Sequence, residues 1–295
     1  MGNVSSGYGP QGARFAFDSS VEQRRIDDPL AGRGQAGSRP VFGAHGPRPP
    51  GMNFVSGNPS ASSQPFNYGA YPSGGNSALA HNNFFPSNSA TPGRKTADIF
   101  GGFFQSENGN CATISAIKAS MQRFGQKPTD IFKDVKKTAN GYHVTMRDGK
   151  TVDLTRQELQ QATQHAGLKG SDPAMIKDAS FIYAVSAKRA QNENHEGSGH
   201  SYAKALDSLK NGEYTKDVFV RLGLKDHVRQ GTLRDLQSGM VGTIDKDVGG
   251  AGTAHSMAVI GGMEERWGKV GQRATAGKIS DGRGHEWKEN VLVLT

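Results

Sequence analysis

Cysteine is almost absent from this chain of 295 residues: Cys111 is the only one. A single cysteine excludes an intramolecular disulfide, and without a CxxC pair a zinc site would have to rely on histidine and carboxylates. No apolar run approaches the roughly 18 residues that a transmembrane helix needs. The N-terminus has no apolar h-region of the kind an ordinary secretory signal peptide carries. Branched aliphatics are scarce at the front. Residues 1–95 contain only seven Ile, Leu or Val: Val4, Val21, Ile26, Leu30, Val41, Val55 and Leu79. So few cannot bury enough apolar surface to offset the entropy of ordering that stretch, so the sequence predicts a disordered region over 1–95. Acidic residues are missing before Asp18.

From about Ile99 onward helical and strand patterns appear between short glycine turns. The remaining length suffices for one good core, so 96–295 is predicted to be a single domain. The formal charge of +8 is moderate. Lys and Arg are dispersed and accompany no RRM, zinc-finger or helix-turn-helix pattern, so no nucleic-acid partner is expected. No P-loop pattern occurs, and the glycines before His255 do not open a helix as a phosphate loop requires.

The first six residues, MGNVSS, match M-G-x-x-x-[ST], with Gly2 and Ser6 in place. Removal of Met1 would free the Gly2 amine for a myristoyl group. One acyl chain gives marginal membrane binding, and no cysteine lies nearby for a second anchor. Arg14, Arg24 and Arg25 add basic charge. A Gly/Ser match of this kind also arises by chance in a Ser-rich segment.

Cys111 is followed by Ile114, Ile117 and Met121, one apolar face of a helix, with Gly125 as its end. Cys111 thus falls in the first turn, where free N–H groups and the helix dipole favour a thiolate. The commonest fate of a lone cysteine is burial as a structural residue. Gln105 lies six positions before it. The stretch Gln105, Gly109, Cys111 and the Ala/Ile helix resembles the Q-x(3)-G-x-C block of papain-like and calpain-like cysteine proteases. The aromatic that usually follows the nucleophile is replaced by Ala112.

Of nine histidines, His45 and His81 lie in the front segment. His143 reads as a surface strand residue and His165 as part of a polar helix. His195 and His200 lack H-E-x-x-H spacing. His227 and His285 sit among charges and read as solvated. His255 opens AHSMAVIGG, after the loop VGGAGT. This resembles the histidine block of the same superfamily: a small residue, the histidine, then an apolar strand ending in glycine.

The resemblance implies an α+β fold: a papain-like two-lobed cysteine protease core behind a long disordered N-terminal region. It implies Cys111 as nucleophile, His255 as base, and Gln105 as an oxyanion-hole donor. Asp281, after a short strand in AGKISDGRGHEW, would orient the histidine. Asp281-Gly282 is equally a turn signal, and Asn290 in KENVLVLT is the rival. No cofactor or metal is required. The middle of the domain is closer in length to calpain-like cores. Residues 142–154 predict a hairpin turning at Asp148-Gly149. Thr155 and Glu158 predict a capping box for a helix through Gln164. Further helices are predicted over AMIKDASFIYAVSAKRAQNE, over SYAKALDSLKNG ending at Gly212, and over TLRDLQ before a strand.

The Ser/Gly/Pro/Asn-rich front also resembles the leader of a bacterial type III secreted effector. That resemblance implies secretion into a host cell, a secretion chaperone on the N-terminal region, host-type acylation at Gly2, a host plasma-membrane location and a host protein substrate. Two other functions remain open. One is a transglutaminase-like acyltransferase or glutamine deamidase using the same Cys-His-Asp order. The other is a catalytically inactive binding module.

Overall fold

A helix buried along most of its length is the centre of the fold. It is α1, Cys111–Phe124. Every residue from Cys111 to Met121 is buried. Ala112, Ala116 and Ala119 keep its girth small enough to be surrounded, while Ile114, Ile117 and Met121 each contribute about 1.5–3 kcal/mol by burial. The helix stops where Gly125, at φ 134, turns the chain and its N–H donates to Met121 O. The computed structural model describes residues 93–94, 98–106, 109–250, 253–280 and 284–295. All of them belong to one compact unit.

After the single turn α2, Pro128–Ile131, comes a small antiparallel sheet. It is built from β1, Asp134–Lys137, β2, Gly141–Thr145, and β3, Thr151–Thr155, in that order. The hairpin turns at Asp148-Gly149, with Gly149 at φ +81, as its sequence predicts. β1 was not foreseen: DVKK buries only Val135 and carries no alternation long enough to read.

The helix α3, Arg156–Ala166, opens on the predicted capping box. Glu158 N–H donates to Thr155 Oγ1 at 3.1 Å and Thr155 N–H to Glu158 Oε2 at 2.9 Å. The long helix α4, Pro173–Asn192, begins where Asp172 accepts the N–H groups of Ala174 and Met175. Its Phe181 meets Tyr142 edge-on at 5.1 Å. The short helix α5, Tyr202–Ser208, stops sooner than the predicted Gly212 boundary. Then comes α6, Thr215–Arg221, which the sequence reading did not identify.

The second half is mostly strand. Its elements are β4, Val228–Gln230; the short helix α7, Leu233–Gln237; β5, Gly242–Asp247; β6, Ala254–Ile260; β7, Met263–Arg266; β8, Lys269–Arg273; β9, Lys278–Ser280; β10, Glu286–Lys288; and β11, Asn290–Leu294. Six of these strands form an antiparallel sheet in the order β4-β11-β5-β6-β7-β8, and β9 pairs with β10. Period-2 alternation divides the main sheet between two cores. Ala258, Ile260, Leu292 and Leu294 pack with α1 and the other helices. Ile244, Met257, Val259, Val291 and Val293 pack on the opposite face with Leu236 of α7 and Ala274. The described chain is therefore a mixed α+β domain in which a buried helix lies on one face of an antiparallel sheet. No helix among the described residues is long and apolar enough to cross a membrane.

Candidate active site

Cys111 is the first residue of α1 and His255 the second residue of β6. Gln105 arrives on the segment 98–106, which is tied down by Phe104. Phe104 N–H donates to Lys169 O at 2.7 Å, and Lys169 N–H returns to Phe104 O at 3.1 Å. Two stretches distant in sequence, 105–115 and 255–267, thus meet at one cavity of about 230 Å³, including its open mouth. Gln105, Cys111 and His255 line it together with Ser115, Glu265 and Trp267.

The cavity is narrow and its reactive groups are hidden. Cys111 is 3% exposed and His255 4%. Burial pushes the Cys111 thiol up to about 12, and the nearby Asp245 carboxylate adds to this. The backbone N–H groups of Ser256, Ala112 and Cys111 itself pull the other way. The sequence predicts that the helix-end donors, here Cys111 and Ala112, favour a thiolate; Ser256 adds a third from β6. They act in that direction, but desolvation outweighs them. Burial likewise holds His255 down at about 4, reinforced by the Arg266 guanidinium. In this state the thiol and the imidazole that share the cavity are both neutral.

The imidazole is stacked on the Trp267 indole, with ring centres 5.1 Å apart and planes 14° from parallel. Trp267 sits at φ +48 in the two-residue turn between β7 and β8, where Arg266 pairs with Lys269. A non-glycine residue there costs on the order of 1 kcal/mol or more and persists only where its surroundings enforce it. Its buried Nε1 has no hydrogen-bond partner.

Beneath the thiol a buried polar chain locks β6 to the helices. Ser256 Oγ lies 2.6 Å from Ser115 Oγ and 2.9 Å from Thr215 Oγ1. Thr215 Oγ1 donates to Asp245 Oδ1 at 2.9 Å, and Asn290 Nδ2 to Asp245 Oδ2 at 2.9 Å. Asn290, one of two candidates for the residue that orients His255, is therefore committed elsewhere. It stands opposite Asp245 on β11, with β5 between it and β6, and its Oδ1 accepts from Gln230 Nε2 at 3.2 Å. Asp281, the other candidate, lies outside the described residues, immediately after β9. So do Gly2 and nearly all of the 1–95 segment, with its chaperone and membrane expectations.

The other described histidines do not reach this cavity. His143 meets Asp153 at 2.7 Å, and His165 lies between Tyr183 and Asp207. His227 is half-buried with its ring edge-on to Phe124 at 5.5 Å, so it is less solvated than its charged neighbours suggested. His285 is exposed. Among the described residues no group of three or more His, Cys, Asp or Glu could hold a metal ion.

Several residues of the site were missed from sequence: Ser115, Asp245, Ser256, Glu265, Trp267 and Lys118. Lys118 had a readable signal. It lies four residues after Ile114, a cation on the flank of an apolar helix face, and such a position calls for a buried partner. Trp267-Gly268 is a turn-prone pair around one of only two tryptophans, but nothing local tied it to His255. No family model, curated protein or solved structure matches this chain.

Proposed function

We propose that this chain is a cysteine protease with a papain/calpain-like arrangement of its groups. The observation that carries this reading is the convergence of Gln105, Cys111 and His255 on one cavity. The buried helix carries the nucleophile, the antiparallel sheet carries the histidine, and the cavity lies where α1 meets β6. A nucleophile on a helix and a histidine on a sheet support the reading, because the motif resemblance implies those placements.

The mechanism starts from the neutral pair. Cys111 Sγ attacks the scissile carbonyl carbon while its proton passes to His255. The carbonyl oxygen becomes an oxyanion, stabilised by the Gln105 side-chain amide and the Cys111 backbone N–H. Collapse breaks the C–N bond, and His255 returns its proton to the departing amine. Water, deprotonated by His255, adds to the thioester carbon; collapse breaks the C–S bond, the acid leaves, and His255 returns the proton to Cys111 Sγ. Asp281 orients the imidazole in this reading, and no cofactor or metal takes part.

In the same reading the protein is a type III effector acting on a host protein. Its Gly2 acyl chain supplies a weak hold on the host membrane.

The test is a comparison of wild type and Cys111→Ala incubated with a host-cell lysate, followed by mass-spectrometric cataloguing of protein N-termini. New N-termini that depend on Cys111 support proteolysis. Conversion of glutamine to glutamate, or amine incorporation without new N-termini, would assign the site to a deamidase or acyltransferase. Identical catalogues would sink the enzyme reading.

A further inference from the structure

Lys118 is fully buried, a costly place for an ammonium group unless its surroundings compensate it. Its Nζ donates to Phe100 O at 2.8 Å and to Phe103 O at 2.6 Å, and lies 3.3 Å from Glu265 Oε1. The same Glu265 oxygen accepts the Gly268 N–H at 2.6 Å. The turn is held from its other side as well. A Cβ on Gly268 would fall 2.3 Å from the Phe104 ring, so the glycine lies directly against the residue before Gln105.

We propose that the Lys118–Glu265 pair is a clasp that assembles the reactive cavity. It fastens the Gln105 segment and the Trp267 turn to the helix that carries Cys111. Other contacts hold these parts as well: the 98–106 segment bonds to Lys169, Ser171 and Asp172, and β7 pairs with β6; the Lys118–Glu265 pair is the ion pair that joins both to α1. The 98–106 segment has no regular structure beyond the single bridge at Phe104. The β7–β8 hairpin contains a register irregularity between Met263 and Glu265 and has β8 on the sheet edge. Lys118 stands two turns along α1 from Cys111, so tying both parts to it sets their distance from the thiol. The pair touches neither reacting atom; Lys118 and Glu265 are positioning residues. Trp267 at φ +48 and Gly268 at φ +82 follow from the two-residue hairpin turn, and the Glu265–Gly268 bond and the Phe104 contact fasten that turn.

This inference rests on the protease reading, and its test separates the two. The variant is Lys118→Met/Glu265→Met in a Trp287→Phe background, which leaves Trp267 as the sole tryptophan. Removing both charges avoids stranding one in the interior. Circular dichroism and thermal unfolding establish that it folds. KI and kinact for the epoxide E-64 are measured separately, with acrylamide quenching of Trp267 alongside.

The expected result is a kinact lower by about 100-fold, the cost of misplacing reacting groups by about 1 Å, together with stronger quenching of Trp267; KI is recorded separately because Glu265 also lines the cavity. An unchanged kinact in the folded variant overturns the clasp. So does a lowered kinact with unchanged quenching, because the effect would then bypass the turn. If the double variant does not fold, Glu265→Gln decides. It keeps a carbonyl for Lys118 and Gly268 and loses only charge. A partial loss of kinact is expected, and none at all overturns the proposal. If the parent takes no epoxide, the protease reading fails. Trp267 quenching then judges the clasp alone: stronger in the double variant supports it, unchanged overturns it.

Discussion

The neutral resting pair makes a quantitative prediction about thiol reactivity. Only the thiolate alkylates at a useful rate. With the thiol pushed up to about 12, the thiolate fraction at pH 8 is about 10⁻⁴, against about 10⁻¹ for a cysteine at its ordinary 9.0. Iodoacetamide should therefore modify the native protein about 1,000-fold more slowly than the urea-unfolded chain, with burial slowing it further. The rate should climb tenfold per pH step from 7 to beyond 10 without a plateau. Cys111 is the only cysteine, so intact mass reads the reaction without peptide mapping. A plateau below pH 7 in the native protein would mean a standing thiolate–imidazolium pair. It would refute the argument that desolvation dominates this site.

Other outcomes follow from the same geometry. His255 is depressed from 6.5 to about 4, so its contribution to stability is present above pH 6.5 and lost as pH falls towards 4, about 3 kcal/mol in all. Denaturant unfolding across that range should show the loss, and His255→Gln should flatten it. Cys111 is raised from 9.0 to about 12, so stability falls as pH climbs from 9 to 12, and Cys111→Ala should remove that slope. Phe181→Ala empties a fully buried site against Tyr142 and should cost about 3–5 kcal/mol in the same assay. Coexpression with an N-myristoyltransferase should add one myristoyl mass to wild type and none to Gly2→Ala; an unmodified wild type would remove the acylation proposal.

Much of this domain was legible because its signals are local. The helix after Cys111 declared itself through Ile114, Ile117 and Met121 and its glycine end. The Thr155–Glu158 box and the Asp148-Gly149 turn each depend on a few neighbouring residues. The strand after His255 was readable as an apolar run bounded by glycines. What stayed hidden was pairing at a distance. Nothing near Asn290 says that it faces Asp245 on a neighbouring strand, because register is decided by the whole sheet. The contacts of Glu265 with Lys118 and of Trp267 with His255 arise only when helix and hairpin meet. The protonation state was hidden for the same reason. A helix N-terminus is visible in sequence, whereas the burial that outweighs it belongs to the assembled domain.

The central claim is that Cys111 and His255 work as a pair on a peptide-like electrophile. The most direct measurement is intact mass spectrometry after treatment with E-64, on wild type, Cys111→Ala and His255→Ala, each shown to be folded. The account predicts one adduct on wild type, none on Cys111→Ala, and little or none on His255→Ala. Equal, slow modification of wild type and His255→Ala would show a thiol without a base and contradict the account.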